Sequence, residues 1–336
     1  MSTRLIAPRG GAQHRPDQSP EKLSLTAVIY GCIDIGSNTT RLLVATGGAR
    51  PQRCAPLTDS VRQPLRQLMA ERSFTRIGRS LGDDGRIPKE KIAETAAVAG
   101  AQARLAREMG AGTVAAVATA AVRDAVNRDE LVAAVEHAAD VELRVLPSSE
   151  EARLSFAGAT RTLPEPARGI IAVVDVGGGS TEIAVGAPDG TVEWSQSVRV
   201  GSGLLADTYL RSDPPALDEL DAARERVGEL FSTLAPPVAR VAVAVGGSAT
   251  SLRRLVGGDL DERTLAEGVA VLSRTRIEEV ARRFALDPER VRLLPAGIIV
   301  LGAACGCLGL PLRIARGGLR EGVILDLMDG SRPEGI

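Results

Sequence analysis

Two short segments hold most of the residues that could do chemistry. Ile33-Asp34-Ile35-Gly36-Ser37-Asn38-Thr39-Thr40-Arg41 and Val174-Asp175-Val176-Gly177-Gly178-Gly179-Ser180-Thr181-Glu182 align without a gap, so the chain contains an internal repeat. Glycines let backbone N–H groups converge on an anion, and Ser, Thr and Asn side chains add donors, which together is phosphate chemistry. The expected phosphate contacts are Gly36, Ser37, Asn38 and Thr39 in the first copy and Gly177, Gly178, Gly179, Ser180 and Thr181 in the second. Asp34 and Asp175, each closing an apolar run, are placed to hold Mg²⁺ directly or through water. One such turn would be an ordinary Gly- and Asn-rich turn; two equivalent copies are a specific signal.

Other candidates are weaker taken singly. Gly246-Gly247-Ser248-Ala249-Thr250 follows an apolar strand and opens a helix, whose N-terminus attracts anions, so Gly246, Gly247 and Ser248 are expected phosphate contacts. Glu150 and Glu151 follow Ser148 and Ser149 at another helix start, where hydroxyl caps and acids are favoured by helix energetics alone. Arg123, after the apolar run ending at Ala118, and Arg320, in Gly317-Gly318-Leu319-Arg320-Glu321-Gly322, each also read as a solvated charge.

The elements that must position these residues follow a common script. In each copy an apolar run (27–33; 170–174) reads as a buried strand, Asp-x-Gly turns it, and a second apolar run returns as a hairpin. Strands then alternate with helices, the signature of an α/β fold. Helices are expected over 88–109, 128–138, from Ser148, and over 216–234, 248–256, 276–285 and 319–328; strands over 113–118, 141–145, 191–198 and 240–245. The 336 residues suggest two domains. The expected division is a flexible tail over 1–26, a first domain over 27–155 and a second over 156–317, with a C-terminal helix over 318–330 packing back on the first.

Composition excludes several function classes. Hydrophobic residues are 44% and charged residues 25%, which is ordinary for a globular protein. With only His14 and His137, no His-rich metal cluster can form. A net charge of −1 gives no field toward nucleic acid or an anionic membrane, and aromatics at 2% are too few for base-stacking platforms. Only Lys22, Lys89 and Lys91 are lysines among 41 basic residues, so the rest are arginine forks suited to phosphate oxygens. Cys32, Cys54, Cys305 and Cys307 lack CxxC spacing and read as reduced thiols, which fits a cytoplasmic location. Residues 1–26 hold no apolar signal core. The uncharged stretch Leu293 to Leu312 is long enough to span a bilayer, but Pro295, Pro311 and four glycines make it a buried core helix leading into a short strand. No nucleic acid or membrane partner is expected.

Six motifs in order, CIDIGSNTTRLLVA at Cys32, ATAAVRDAVN at Ala118, SEEARLSFAGA at Ser149, VVDVGGGSTEIAVG at Val173, VGGSATSL at Val245 and GGLREGVI at Gly317, carry a resemblance. The chain resembles the exopolyphosphatase and guanosine pentaphosphate phosphatase family, within the superfamily of actin, sugar kinases and heat-shock chaperone ATPases. The resemblance implies two actin-like (ribonuclease H-like) α/β domains with the substrate in an interlobe cleft. It implies Glu151 as catalytic base, Glu182 as a second acid near metal and water, Asp34 and Asp175 on the metal side, and Arg41, Arg123 and Arg320 on phosphate. Mg²⁺, or Mn²⁺ in its place, is the implied ion, and a homodimer the implied assembly. The activity expected is release of orthophosphate by attack of water on the terminal phosphoanhydride of inorganic polyphosphate, on the 5′-γ-phosphate of guanosine pentaphosphate (pppGpp), or both.

Longer members append a helical C-terminal region for which this chain has no residues, so a short two-domain form is expected. Ser149 stands where a Gly is more usual in the family, and the stretch 50–73 matches poorly. The alternatives are a non-catalytic sensor of polyphosphate or guanosine polyphosphates, and a kinase or ATPase of the same superfamily.

Overall fold

Apolar, β-branched runs lead into both Asp-x-Gly segments, and both form strands. A computed structural model describes residues 28–47, 64–82 and 84–330. His14, Cys54 and the tail over 1–26 lie outside the described residues. The first half runs β1 (Ile29–Ile35), β2 (Thr40–Gly47), β3 (Leu65–Ser73), α1 (Ile77–Ser80), α2 (Lys89–Glu108), β4 (Thr113–Ala118), α3 (Ala120–Arg123), α4 (Arg128–Ala139) and β5 (Leu143–Val145). The second runs α5 (Ser148–Arg161), β6 (Ile171–Val176), β7 (Thr181–Gly186), β8 (Val192–Val198), α6 (Ser202–Tyr209), α7 (Leu217–Phe231), β9 (Val241–Val245), α8 (Gly246–Val256), α9 (Glu262–Leu272), α10 (Ile277–Phe284), α11 (Pro288–Leu308), β10 (Leu312–Ile314) and α12 (Leu319–Met328).

The strands make two five-stranded sheets, β3-β2-β1-β4-β5 and β8-β7-β6-β9-β10. Each has an antiparallel hairpin pair on one side of its central strand and two parallel strands on the other. The repeat read from the two turns is thus a duplication of the whole sheet, the two-lobed actin-like α/β arrangement that the resemblance implies. The registers coincide as well: Asp34 faces Arg41 across β1 and β2, and Asp175 faces Glu182 across β6 and β7. The two halves therefore offer opposite charges at one structural position.

Local signals set the helix ends. Asp261 accepts from the Thr264 amide at 2.8 Å to cap α9, and Asp287 accepts from the Glu289 amide at 2.9 Å ahead of Pro288, which opens α11. Gly309, at φ 63°, ends α11 in the left-handed conformation. By length and composition α11 could cross a membrane, but it is the core helix of the second half, with Leu293, Leu294, Val300 and Leu301 at most 1% exposed. It packs against α6, α7, α8 and α9, and β10 follows it as the expected short strand.

Two helices tie the halves together. α5, which follows the first sheet, lays Ala152, Phe156 and Ala159 on β6, β7 and β9 of the second. α12, which follows the second sheet, lays Leu319, Val323 and Ile324 on Cys32 and Leu43 of the first. The two cross in direct contact, with Gly158 of α5 against Gly318 and Gly322.

Candidate active site

The two turns are built alike. The Gly36 amide donates to the Thr39 carbonyl and the Gly177 amide to the Ser180 carbonyl, each at 3.0 Å. Their remaining carbonyls are turned outward: those of Ser37 and Asn38 accept from the Gly78 and Arg76 amides, and those of Gly177 and Gly178 accept from the start of α6. Among the described residues the amides of Ser37, Asn38, Gly178 and Gly179 meet no acceptor, so both turns present unused donors, as an anion-binding nest does. The turns also touch: a Cβ on Gly179 would stand 2.5 Å from the Ser37 Oγ.

Between them, at the carboxyl ends of β1, β4, β6 and β9, lies a cavity of about 590 Å³. Asp34, Asp175, Glu151 and Glu182 all face it. Ser155, one helical turn after Glu151 on α5, donates to Asp175 Oδ2 at 2.6 Å. Glu151 is 7% exposed, and its Oε2 accepts from Arg123 Nη1 at 2.8 Å. Glu182, 3% exposed, accepts from the Ser197 hydroxyl at 2.8 Å.

Burial holds all four carboxyls above the ordinary carboxylate range. After burial, the largest upward push comes from Glu182 on Glu151, and from Asp175 on Glu182. Arg41 and Arg320 oppose the rise at Asp34, and the Ser155 hydroxyl opposes it at Asp175.

A group of guanidiniums shares the cavity. Arg41 lies opposite Arg72 across β2 and β3, an arrangement of like charges that is unfavourable by itself. Arg290, on the first turn of α11, is 4% exposed, and its Nε and Nη2 bond to nothing among the described residues. Burial, then Arg41 and Arg72, pull its pKa down to about 9. Arg41 has Asp34 opposite it, but Arg72 and Arg290 form no ion pair among the described residues, so the three forks make a site whose missing component is an anion. Sequence reading missed Arg290 and Arg72. An Arg in Asp-Pro-Glu-Arg looks solvated, and only the tertiary fold buries it; Arg72 rides on β3, an edge strand whose mixed pattern gives no period.

This grouping makes a prediction of opposite signs. Replacing Arg290 by Met removes a buried unpaired charge, so the phosphate-free protein should melt a few degrees higher, while KM for a multiply phosphorylated substrate should rise about tenfold. Melting and steady-state kinetics read both; an unchanged KM would rule out an anion at Arg290.

Most expected site residues converge. Asp34, Gly36, Ser37, Asn38, Thr39, Arg41, Glu151, Asp175, Gly177, Gly178, Gly179, Ser180, Glu182, Gly246, Gly247 and Arg320 all line the cavity. Thr39 also accepts from Arg41 Nε at 3.0 Å, and Arg320 donates to the Leu42 carbonyl at 3.0 Å. Gly246, at φ 89°, must be glycine, because a Cβ would stand 2.8 Å from Asp175 Oδ1.

Three expected phosphate contacts do not face the cavity. Thr181 is fully buried and donates to the Val200 carbonyl, because strand alternation turns it away from the side that Glu182 takes. Ser248 is fully buried beneath Gly297 of α11; the helical repeat brings Thr250, four residues after Gly246, to the cavity instead. Arg123 lies outside the lining, bonded to Glu151.

Among the described residues no three His, Cys, Asp or Glu side chains are grouped to hold a metal alone. Asp34 and Asp175 do supply two hard oxygen donors on one cavity, both facing Arg41 and Arg320, and Asp175 adds to the rise at Asp34. That is the number Mg²⁺ takes from a protein when phosphates and water complete its shell.

Comparison with known proteins bears on the class. The model of the Ppx/GppA phosphatase family matches residues 58–331, and the chain belongs to that family. Exopolyphosphatase 2 of Mycobacterium tuberculosis is 36% identical over 245 residues, covering 69% of this chain and 72% of that protein. Exopolyphosphatase 1 of Mycobacterium leprae is 30% identical over 318 residues, 89% of each chain. The crystal structure of the Aquifex aeolicus Ppx/GppA family member superposes with a TM-score of 0.72 at 25% identity, over 91% of this chain and 99% of that one. The chain is thus a phosphatase-type hydrolase on a duplicated, actin-like fold.

Proposed function

We propose that this protein is an exopolyphosphatase that releases orthophosphate from the end of inorganic polyphosphate. The observation that carries the reading is one cavity shared by two unused-amide turns, four carboxylates and the Arg41–Arg72–Arg290 group. The amides of Ser37, Asn38, Gly178 and Gly179 grip the terminal phosphate and hold its oxygens against developing charge. Glu151 orients and deprotonates the attacking water, and Glu182 crowds it with negative charge that favours proton uptake. Arg41, Arg72 and Arg290 hold the phosphates that follow, keeping the leaving chain in place.

Asp34 and Asp175 would hold Mg²⁺, which supplies charge neutralisation on the phosphate oxygens when bound. Among the described residues no aromatic side chain lines the cavity, which favours an inorganic chain over a nucleotide; pppGpp is the second substrate to try. The test is Mg²⁺-dependent phosphate release from polyphosphate and pppGpp side by side. Release from polyphosphate supports the reading, faster release from pppGpp renames the substrate, and binding of either with release from neither sinks the hydrolase in favour of a sensor.

The raised carboxyls give the metal its own test. Without a cation the folded state binds protons that the unfolded state releases, so stability falls as pH rises from the ordinary carboxylate range, about 4, through the raised values. In EDTA the melting temperature should therefore be higher at about pH 5 than at about pH 8, two points inside that window. Millimolar Mg²⁺ should raise it more at the alkaline end, where the carboxylates are ionised. Equal Mg²⁺ shifts at both values would argue against a carboxylate-held ion.

A further inference from the structure

The resemblance implies a phosphate contact for Arg123, and in the structure its guanidinium bonds Glu151 and the Leu146 carbonyl. Arg123 ends α3, the single turn after β4, and its side chain reaches the start of α5 without lining the cavity itself. Nη1 donates both to the Leu146 carbonyl at 2.9 Å and to Glu151 Oε2 at 2.8 Å. Leu146, 1% exposed, directly precedes Pro147, the residue that caps α5, so the guanidinium is fastened to the backbone that launches the helix carrying Glu151. The turn bearing Arg123 is itself fastened to the first phosphate turn, because the Ala121 amide donates to Ser37 Oγ at 3.2 Å.

The other oxygen of Glu151 is free. Among the described residues Oε1 has no hydrogen-bond partner, and Arg123 is the only cation paired with this carboxylate. Glu151 lines the cavity and Arg123 does not. A charge-assisted bond to one oxygen of a carboxylate fixes the side chain's rotamer and decides which oxygen is left to work. Without it, Glu151 would swing on its own torsions next to the like charge of Glu182.

We propose that Arg123 is a positioning residue for the base: anchored on the Leu146 carbonyl, it holds Glu151 by Oε2 and leaves Oε1 to take the proton from water. It touches no substrate atom. The inference rests on Glu151 as the base.

The test is kcat and KM for polyphosphate in wild type, Arg123→Ala, Arg123→Lys, Glu151→Gln and the Arg123→Ala/Glu151→Gln double variant. Arg123→Ala should lower kcat about 30-fold with KM within about threefold, since orientation of the base matters only in the transition state. Arg123→Lys, which restores a charge beside Oε2, should recover at least about fivefold of that loss. The double variant should be within about threefold of Glu151→Gln alone, because a residue that acts through Glu151 has nothing left to position.

A rise in KM of about tenfold with kcat unchanged, or losses that multiply in the double variant, would make Arg123 a substrate ligand and overturn the proposal. Should Arg123→Ala fail to fold by circular dichroism, the kcat against KM split of Arg123→Lys decides by the same criterion. Glu151→Gln with wild-type kcat would remove the base itself, a failure seen in the single variant without reference to Arg123.

Discussion

Glu151→Gln should lower kcat for phosphate release from polyphosphate by about 10³-fold while leaving KM within about threefold, the size expected when a positioned general base is removed. Gln keeps the shape of Glu and a carbonyl oxygen for Arg123, whose bond to Oε2 spans 2.8 Å, so the helix start and the cavity wall should stay as they are. What is lost is the capacity to take a proton. The phosphate-gripping turns and the Arg41–Arg72–Arg290 group are untouched, which is why binding should survive. Burial and Glu182 hold the Glu151 carboxyl above its ordinary range, so the wild-type rate should rise with pH across a limb that also lies above that range. The variant's residual rate should lack the limb. A Gln variant that keeps more than about a tenth of wild-type kcat would remove Glu151 from the role of base.

The same residue shows how far sequence reaches. Asp34, Asp175 and their turns were legible because the chain states them twice, and a duplicated local pattern survives translation into structure as a duplicated sheet. Glu151 was half legible: an acid in the first turn of a helix is unremarkable until α5 is seen to deliver it to the carboxyl ends of both sheets. Arg290 was illegible. Its burial depends on α11 packing under the second half, a contact between segments distant in sequence, and no local pattern records it.

The errors are equally physical. Thr181 sits in the motif yet faces the other side of its strand, because the side-chain period of two places Glu182 and Thr181 on opposite faces. Helix α9 and edge strand β3 went unread: α9 carries Leu265, Val269 and Leu272 at helical spacing, a signal that could have found it, whereas the outer face of β3 meets water and leaves no period.

Gly322→Val should destabilise the protein by more than about 4 kcal/mol and lower its melting temperature by on the order of 8 °C. A Cβ at Gly322 falls inside contact with the Leu154 carbonyl oxygen and 2.6 Å from the carbonyl carbon, and both belong to a helix backbone that cannot rotate aside. The helices must then separate, and α12 would withdraw Leu319, Val323 and Ile324 from Cys32, Leu43 and Leu154. Overpacking that side chains can absorb costs about 1–3 kcal/mol; here backbone meets backbone, so the larger figure applies. Activity should fall further than stability. α12 opens with Leu319, Arg320 and Glu321 on the cavity, and α5 carries Glu151 and the Ser155 that holds Asp175, so the crossing sets the distance between the base and the first half's phosphate site. Gly228→Ala on α7 is the control: nothing lies within 4 Å of its Cβ, and replacing a mid-helix glycine should raise stability by about 0.5–1 kcal/mol. Thermal melts and phosphate release for the two variants separate the effects, and a Gly322→Val protein that melts with wild type would show that the crossing yields, leaving α5 and α12 free to slide past one another.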